Sequence, residues 1–215
     1  MTEDKPPAPA KSRADAMRRR VLDAAERLLH EGRAEFSMRE LAASAEVSFA
    51  TPFNHFGSKA AIMHALSAER IASMVSRFDE AAPKGDAADR VLAAVDIAAA
   101  VMLASPEVNR AVIGTIGAPG GEAGQAYVQS RALWARAIAD GDGLEPSLAD
   151  IASQALPDHL ALAFRGALSF WTAGEIANLE LAARARAVAA TLLLGFVKPE
   201  RREALRASLG RVRPS

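Results

Sequence analysis

The 215 residues contain no cysteine, which removes structural disulfides, thiolate nucleophiles and every cysteine-based zinc site at once. Half of the residues are apolar, yet no run approaches the roughly 18 to 20 uncharged apolar residues that a membrane span needs. Met1 to Ala10 has no apolar segment of the signal-peptide kind, so a soluble, cytoplasmic chain is expected. There is no G-x-S-x-G nucleophile motif, and His30, His64 and His159 show no H-x-x-x-H spacing on one helix, so neither an enzyme, a metal site nor a cofactor is expected. The five glycines between Gly114 and Gly124 lack the terminal Gly-Lys-Ser/Thr of a phosphate cradle and follow no strand, and they read as a mobile loop between helices.

Net charge is absent too, but only in total. Residues 1–59 carry a net +1, residues 60–183 a net −7 and residues 184–215 a net +6. Within the first segment, Lys11, Arg13, Arg18, Arg19 and Arg20 stand against Asp15 alone, a cluster that can face a polyanion. On charge alone, a solvated, disordered arm over residues 1–15 is the simpler reading.

Sustained apolar–polar alternation is missing as well, so the expected fold is all-α. Val21, Leu22, Ala25, Leu28 and Leu29 recur at helical spacing up to Gly32. Ser37 and Glu40 have the S-x-x-E spacing of a capping box, in which each side chain satisfies the other's free backbone donor. Met38, Leu41, Ala42 and Ala45 give the following short helix its buried stripe. Ser48 offers another cap, and Phe49, Phe53 and Phe56 fall at i, i+4 and i+7, which predicts an inward phenylalanine face. A longer helix then runs through Ile62, Leu66, Ile71, Met74 and Phe78. Beyond Asp86 the helices become longer and alanine-rich, at about 86–104, 106–116, 122–140, 157–173, 179–197 and 200–210.

Ser37 to Lys59 has the spacing of a helix-turn-helix. Small Ala42 lets two helices approach, Val47 plugs the turn, and Ser48, Ala50, Thr51 and Asn54 offer short side chains suited to a major groove. Lys59, in the first turn of the next helix, can grip a phosphate. The stretch Arg18 to Leu66, with its patterns R-x-x-V-L-x-A-A, S-M-R-E-L-A, V-S and F-x-H-F-x-S-K, resembles the DNA-binding domain of TetR-type regulators. The resemblance implies a homodimeric transcription regulator, usually a repressor, whose variable helical C-terminal domain binds a small molecule and dimerises. Three residues depart from the family pattern. Glu46 stands at the turn where glycine is usual and implies a left-handed residue carrying a side chain; Pro52 lies in the first turn of the recognition helix; Phe53 replaces tyrosine.

The expected organisation is an arm over 1–15, a helix-turn-helix domain over 16–76 and a ligand-binding and dimerisation domain over 77–215. DNA contacts are expected from Arg18, Arg19, Ser37, Arg39, Ser48, Phe49, Ala50, Thr51, Phe53, Asn54, His55 and Lys59. A ligand pocket is expected around Asp96, Met102, Tyr127, Trp134, Phe164 and Trp171. With few polar groups and an acidic middle segment, it favours a hydrophobic or cationic effector. The dimer interface is assigned to Ala163, Gly166 and Ala167 with Ala190, Leu192, Leu193 and Phe196, small and apolar residues on two helices. The alternative from another class is a helical enzyme or carrier that uses its N-terminal bundle for association only, and a third is an architectural DNA binder without sequence preference.

Overall fold

Helix starts are set by side chains that satisfy the free N–H groups of a first turn. In the computed structural model, which describes residues 10–116 and 125–209, the Ser37 hydroxyl accepts from the Glu40 amide and the Glu40 carboxylate accepts from the Ser37 amide. This is the expected capping box, and it opens α2 (Met38–Ser44). Ser58 caps α4 (Lys59–Ala81) through the Ala61 amide. Asp86 and Asp89 form a second box at the head of α5 (Ala87–Leu103). The other helices are α1 (Ala10–His30), α3 (Ala50–Phe56), α6 (Pro106–Ile116), α7 (Ala126–Ile138), α8 (Ala149–Thr172), α9 (Asn178–Leu194) and α10 (Pro199–Leu209). The fold is all-α: among the described residues, strand pairing is limited to one isolated bridge between Leu144 and Val197. No single described helix is long and apolar enough to cross a membrane.

Two expectations change here. Helix α1 already begins at Ala10, so the arm expected over 1–15 ends earlier, and residues 1–9 lie outside the described residues. Pro157 does not start a helix; it lies buried inside α8, where apolar burial of its ring offsets the amide bond that a proline cannot make. The glycine-rich stretch expected as a loop extends over 117–124, outside the described residues, while Gly114 is part of α6.

The buried side chains form two cores. One joins Val21, Leu28 and Leu29 of α1 with Leu41 of α2, Ile62, Met63 and Leu66 of α4, and Val108 and Val112 of α6. The larger one is built from α5, α7, α8 and α9, with Met74 and Phe78 of α4 and Ile113 of α6. Helices α4 and α6 therefore feed both cores on successive turns. A shift of either helix is felt on both sides, because close-packed interiors transmit displacement.

Candidate nucleic-acid interface and cavity

Helices α2 and α3 have seven residues each, too few to be stable alone, and α1 fastens them. Between them Glu46 has φ 53°, the left-handed conformation expected at the glycine-like position, strained by its side chain. Arg20 offsets that strain: it donates to the carbonyls of Ala45 (2.9 Å) and Glu46 (3.2 Å), and lies 3.6 Å from the Glu46 carboxylate. Arg27 donates to the Ser44 carbonyl at 2.8 Å. The C-terminal carbonyls of α2 thus meet cations, which their partial negative charge favours. Arg18 reaches the His55 carbonyl at 3.2 Å and lies 4.2 Å from the Phe56 ring centroid. Arg19 pairs with Glu69 of α4 at 2.9 Å. Much of the basic cluster is therefore engaged in holding the motif together, and Arg18 and Arg19 are not free phosphate ligands.

On the outward side, Ser37, Arg39, Ser48, Phe49, Ala50, Phe53 and Asn54 are exposed, while Thr51 and His55 are half-buried. The Ser48 and Thr51 hydroxyls are 2.8 Å apart. The expected inward phenylalanine face is not formed. Phe49 and Phe53 are 53% and 41% exposed, meet edge to face at 5.5 Å, and carry Arg39 5.6 Å from the Phe49 centroid. The cause is helix phase: Phe49, not Ser48, occupies the N-cap of α3, and Pro52 is the residue turned inward. Phe56 alone of the three packs on the core. Exposed aromatic edges beside short polar side chains suit thymine methyl groups and hydrogen-bonding base edges. Lys59 departs from expectation as well. Its ammonium donates to the Ala34 carbonyl at 2.6 Å and lies 4.6 Å from the Phe36 ring and 3.8 Å from Glu35, so it ties down the loop between α1 and α2.

At the junction of α4 to α8 lies a cavity of about 220 Å³. Met102, Tyr127 and Phe164 line it, as expected. Trp134, Trp171 and Asp96 do not. Trp134 backs the wall, edge-on to Phe164 at 5.6 Å with its indole N–H given to Ser130. Trp171 gives its own N–H to Asn178 at 2.8 Å and has Arg110 4.9 Å from its ring. Asp96 pairs with Arg186 of α9, and burial nevertheless pushes its carboxyl above the ordinary range. Sequence reasoning missed His64, Ser67, Arg70 and Arg165 of the lining. His64, Ser67, Ile71 and Met74 share one face of α4 at i, i+3, i+7 and i+10, a mixed polar and apolar stripe that was a usable signal. Asp96 is not part of the cavity, and the arginines lining it are Arg70 and Arg165.

Arg70 links the cavity to the first core. Its Nε donates to Asn109 Oδ1 at 2.8 Å and its Nη2 pairs with Glu26 of α1. Asn109, fully buried, donates in turn to the Met102 carbonyl at 2.8 Å, near the C-terminus of α5. One hydrogen-bonded set therefore spans α1, α4, α5 and α6.

The residues assigned to the dimer interface separate by depth. Ala190 and Leu193 are fully buried and Ala167 nearly so, inside the chain's own core; Ala163, Gly166, Leu192 and Phe196 are half-buried. The large exposed apolar side chains of the same two helices are Ile151, Leu162 and Phe170 on α8 and Leu179 and Val188 on α9. Apart from its chain neighbours and its own helix backbone, nothing among the described residues lies within 4 Å of the position a Cβ would take at Gly166.

An all-α chain with a clamped helix-turn-helix at one end and a cavity in its larger helical region has the architecture of a DNA-binding regulator. Residues 21–66, which carry the helix-turn-helix, match the family model of bacterial regulatory proteins, tetR family. Solved structures share the fold. A TetR transcriptional regulator from Rhodococcus sp. RHA1 is 22% identical with a TM-score of 0.65, covering 85% of this chain and 97% of that one. The TetR regulator TylP from Streptomyces fradiae is 20% identical with a TM-score of 0.55, covering 93% of this chain and all of that one. A gamma-butyrolactone receptor, an ArpA-like protein, is 19% identical with a TM-score of 0.53, covering 93% and 97%. No curated protein sequence matches.

Proposed function

We propose that this protein acts in the cytoplasm as a homodimeric repressor that binds a pseudo-palindromic operator and leaves it when a small molecule fills the cavity. The observation that carries the DNA-binding part is the outward face of Ser48, Phe49, Ala50, Thr51, Phe53 and Asn54, held by arginines that bond the backbone behind it. Arg39 beside it and the α4 N-terminus are suited to phosphates, which position without reading sequence. Uncovered apolar side chains on α8 and α9 and the open space over Gly166 suit a second copy of the chain, forming a four-helix contact.

Release needs the ligand to favour one state; moving nearly all protein off DNA takes a differential of about 5 kcal/mol. The ligand need only alter the separation of the two recognition helices from about 34 Å, one turn of DNA. Arg70 supports such a route, because it borders the cavity and holds Glu26 of α1. Selection of bound duplexes from a random pool tests the reading. An enriched palindrome with half-sites one turn apart is expected, and recovery without sequence preference would overturn it.

A further inference from the structure

We infer that the cavity selects a compact apolar monocarboxylate, its head group held by Arg165 and its chain laid against Met102, Ile113, Phe164 and Leu168. This rests on the ligand-binding role of the cavity proposed above. The decisive feature is a charge without a counter-charge among the described residues. Arg165 lines the cavity, half-buried, and the bond found for it is one donation from Nη2 to the Ile113 carbonyl at a long 3.3 Å. No carboxylate among the described residues lies within ion-pair reach of it. Its neighbour in the wall, Arg70, is by contrast paired with Glu26 and bonded to Asn109.

The carboxylate close to the cavity's Tyr127 cannot serve Arg165. Asp158 stands seven residues earlier on α8, about 10 Å along the axis, and is engaged by the Tyr127 hydroxyl at 2.9 Å and by Arg131 at 2.7 Å. Burial lowers the proton affinity of Arg165, but a guanidinium keeps its proton at any ordinary pH. The fold therefore holds a positive charge in a largely apolar wall with most of its five donors not taken up by the described residues, the environment in which a bidentate carboxylate gains most. One such charge balances one anionic group and repels a cation. At about 220 Å³ the space is smaller than the roughly 300–1,000 Å³ of drug-sized sites, which limits the ligand to a short chain or a single ring.

Calorimetry on the full-length protein at pH 7 with four probes of equal carbon count tests this: octanoate, 1-octanol, gamma-octalactone and octylammonium. Octanoate should bind about tenfold or more tighter than the two neutral probes, and octylammonium weakest. Arg165→Met, shown to fold by its melting curve, should bring octanoate down to the level of octanol and leave octanol unchanged; Arg165→Lys should retain part of the preference. Equal binding of all four probes, or tightest binding of the lactone, overturns the carboxylate assignment and leaves the cavity as a ligand site. Binding of none overturns both readings. Glu122→Gln serves as a control, because that acid falls outside the described residues. A gain in octanoate affinity there would make Glu122 the natural partner of Arg165 and overturn the proposal; unchanged affinity supports it.

Discussion

Both cores are apolar, but they differ in how far polar clamps add to burial. Around α2 and α3, two helices of seven residues are fixed by guanidinium-to-carbonyl bonds from α1: Arg18 to His55, Arg20 to Ala45 and Glu46, and Arg27 to Ser44. Around α5 and α8, helices of 17 and 24 residues close chiefly by burial of alanine, leucine and tryptophan, with Arg90 as the main clamp on the last carbonyls of α7. Hydrogen bonds are directional and fix a surface to a fraction of an ångström; apolar contact is not directional and tolerates repacking. A reader of DNA needs the first property and a sensor of small molecules the second. The set of Arg70, Glu26 and Asn109 is where one mode of construction meets the other.

The comparison breaks most visibly in the burial-built domain. Leu193→Arg places a charge at a fully buried site and should cost about 4 kcal/mol or more, read as loss of the cooperative thermal transition. Phe170→Arg, on the exposed side of α8, should leave that transition in place and instead give a monomer by sedimentation. A folded Leu193→Arg variant would show that the larger core is looser than burial implies.

At the seam, Arg70→Met strands Glu26 and Asn109 and should cost about 3 kcal/mol. The surviving folded protein should still bind operator but no longer release it in response to a cavity ligand, as followed by fluorescence anisotropy of labelled DNA. Unimpaired release would move the coupling to apolar contacts between α4 and α6.

The polar clamps should show the smallest effects on stability and a larger one on recognition. Arg20→Ala removes two carbonyl partners near the α2 C-terminus, a loss of about 1 kcal/mol, and should weaken operator binding by more than its change in melting temperature suggests. Ser37→Ala, which removes one half of the capping box, should also cost about 1 kcal/mol with a smaller effect on binding. If both variants lower affinity only in proportion to stability, the clamps stabilise the domain without orienting its reading face.

What could be read along the chain was local. The Ser37–Glu40 box, the left-handed Glu46, the stripe of α1 and the pattern from Arg18 to Leu66 depend on residues a few positions apart, where helical spacing and capping chemistry act directly. The phenylalanines of α3 went astray because a one-residue change in where a short helix begins rotates each side chain by about 100°. Lys59 went astray because its partners, Ala34 and Phe36, lie on a loop some 25 residues back.

The sequence by itself thus determined an all-α chain, the capped starts of α2 and α4 and a helix-turn-helix end; which way each face turned was decided only in three dimensions. Helix α8 carries apolar residues on two sides, Leu160, Phe164 and Trp171 on one and Leu162 and Phe170 on the other. Spacing alone cannot say which side meets α7 and α9. The same holds for Asp96, drawn to Arg186 ninety residues away, and for Arg165, left beside a cavity. Charges and indoles choose partners by distance in space, and that distance exists only after long-range packing has set the rotation of one helix against another.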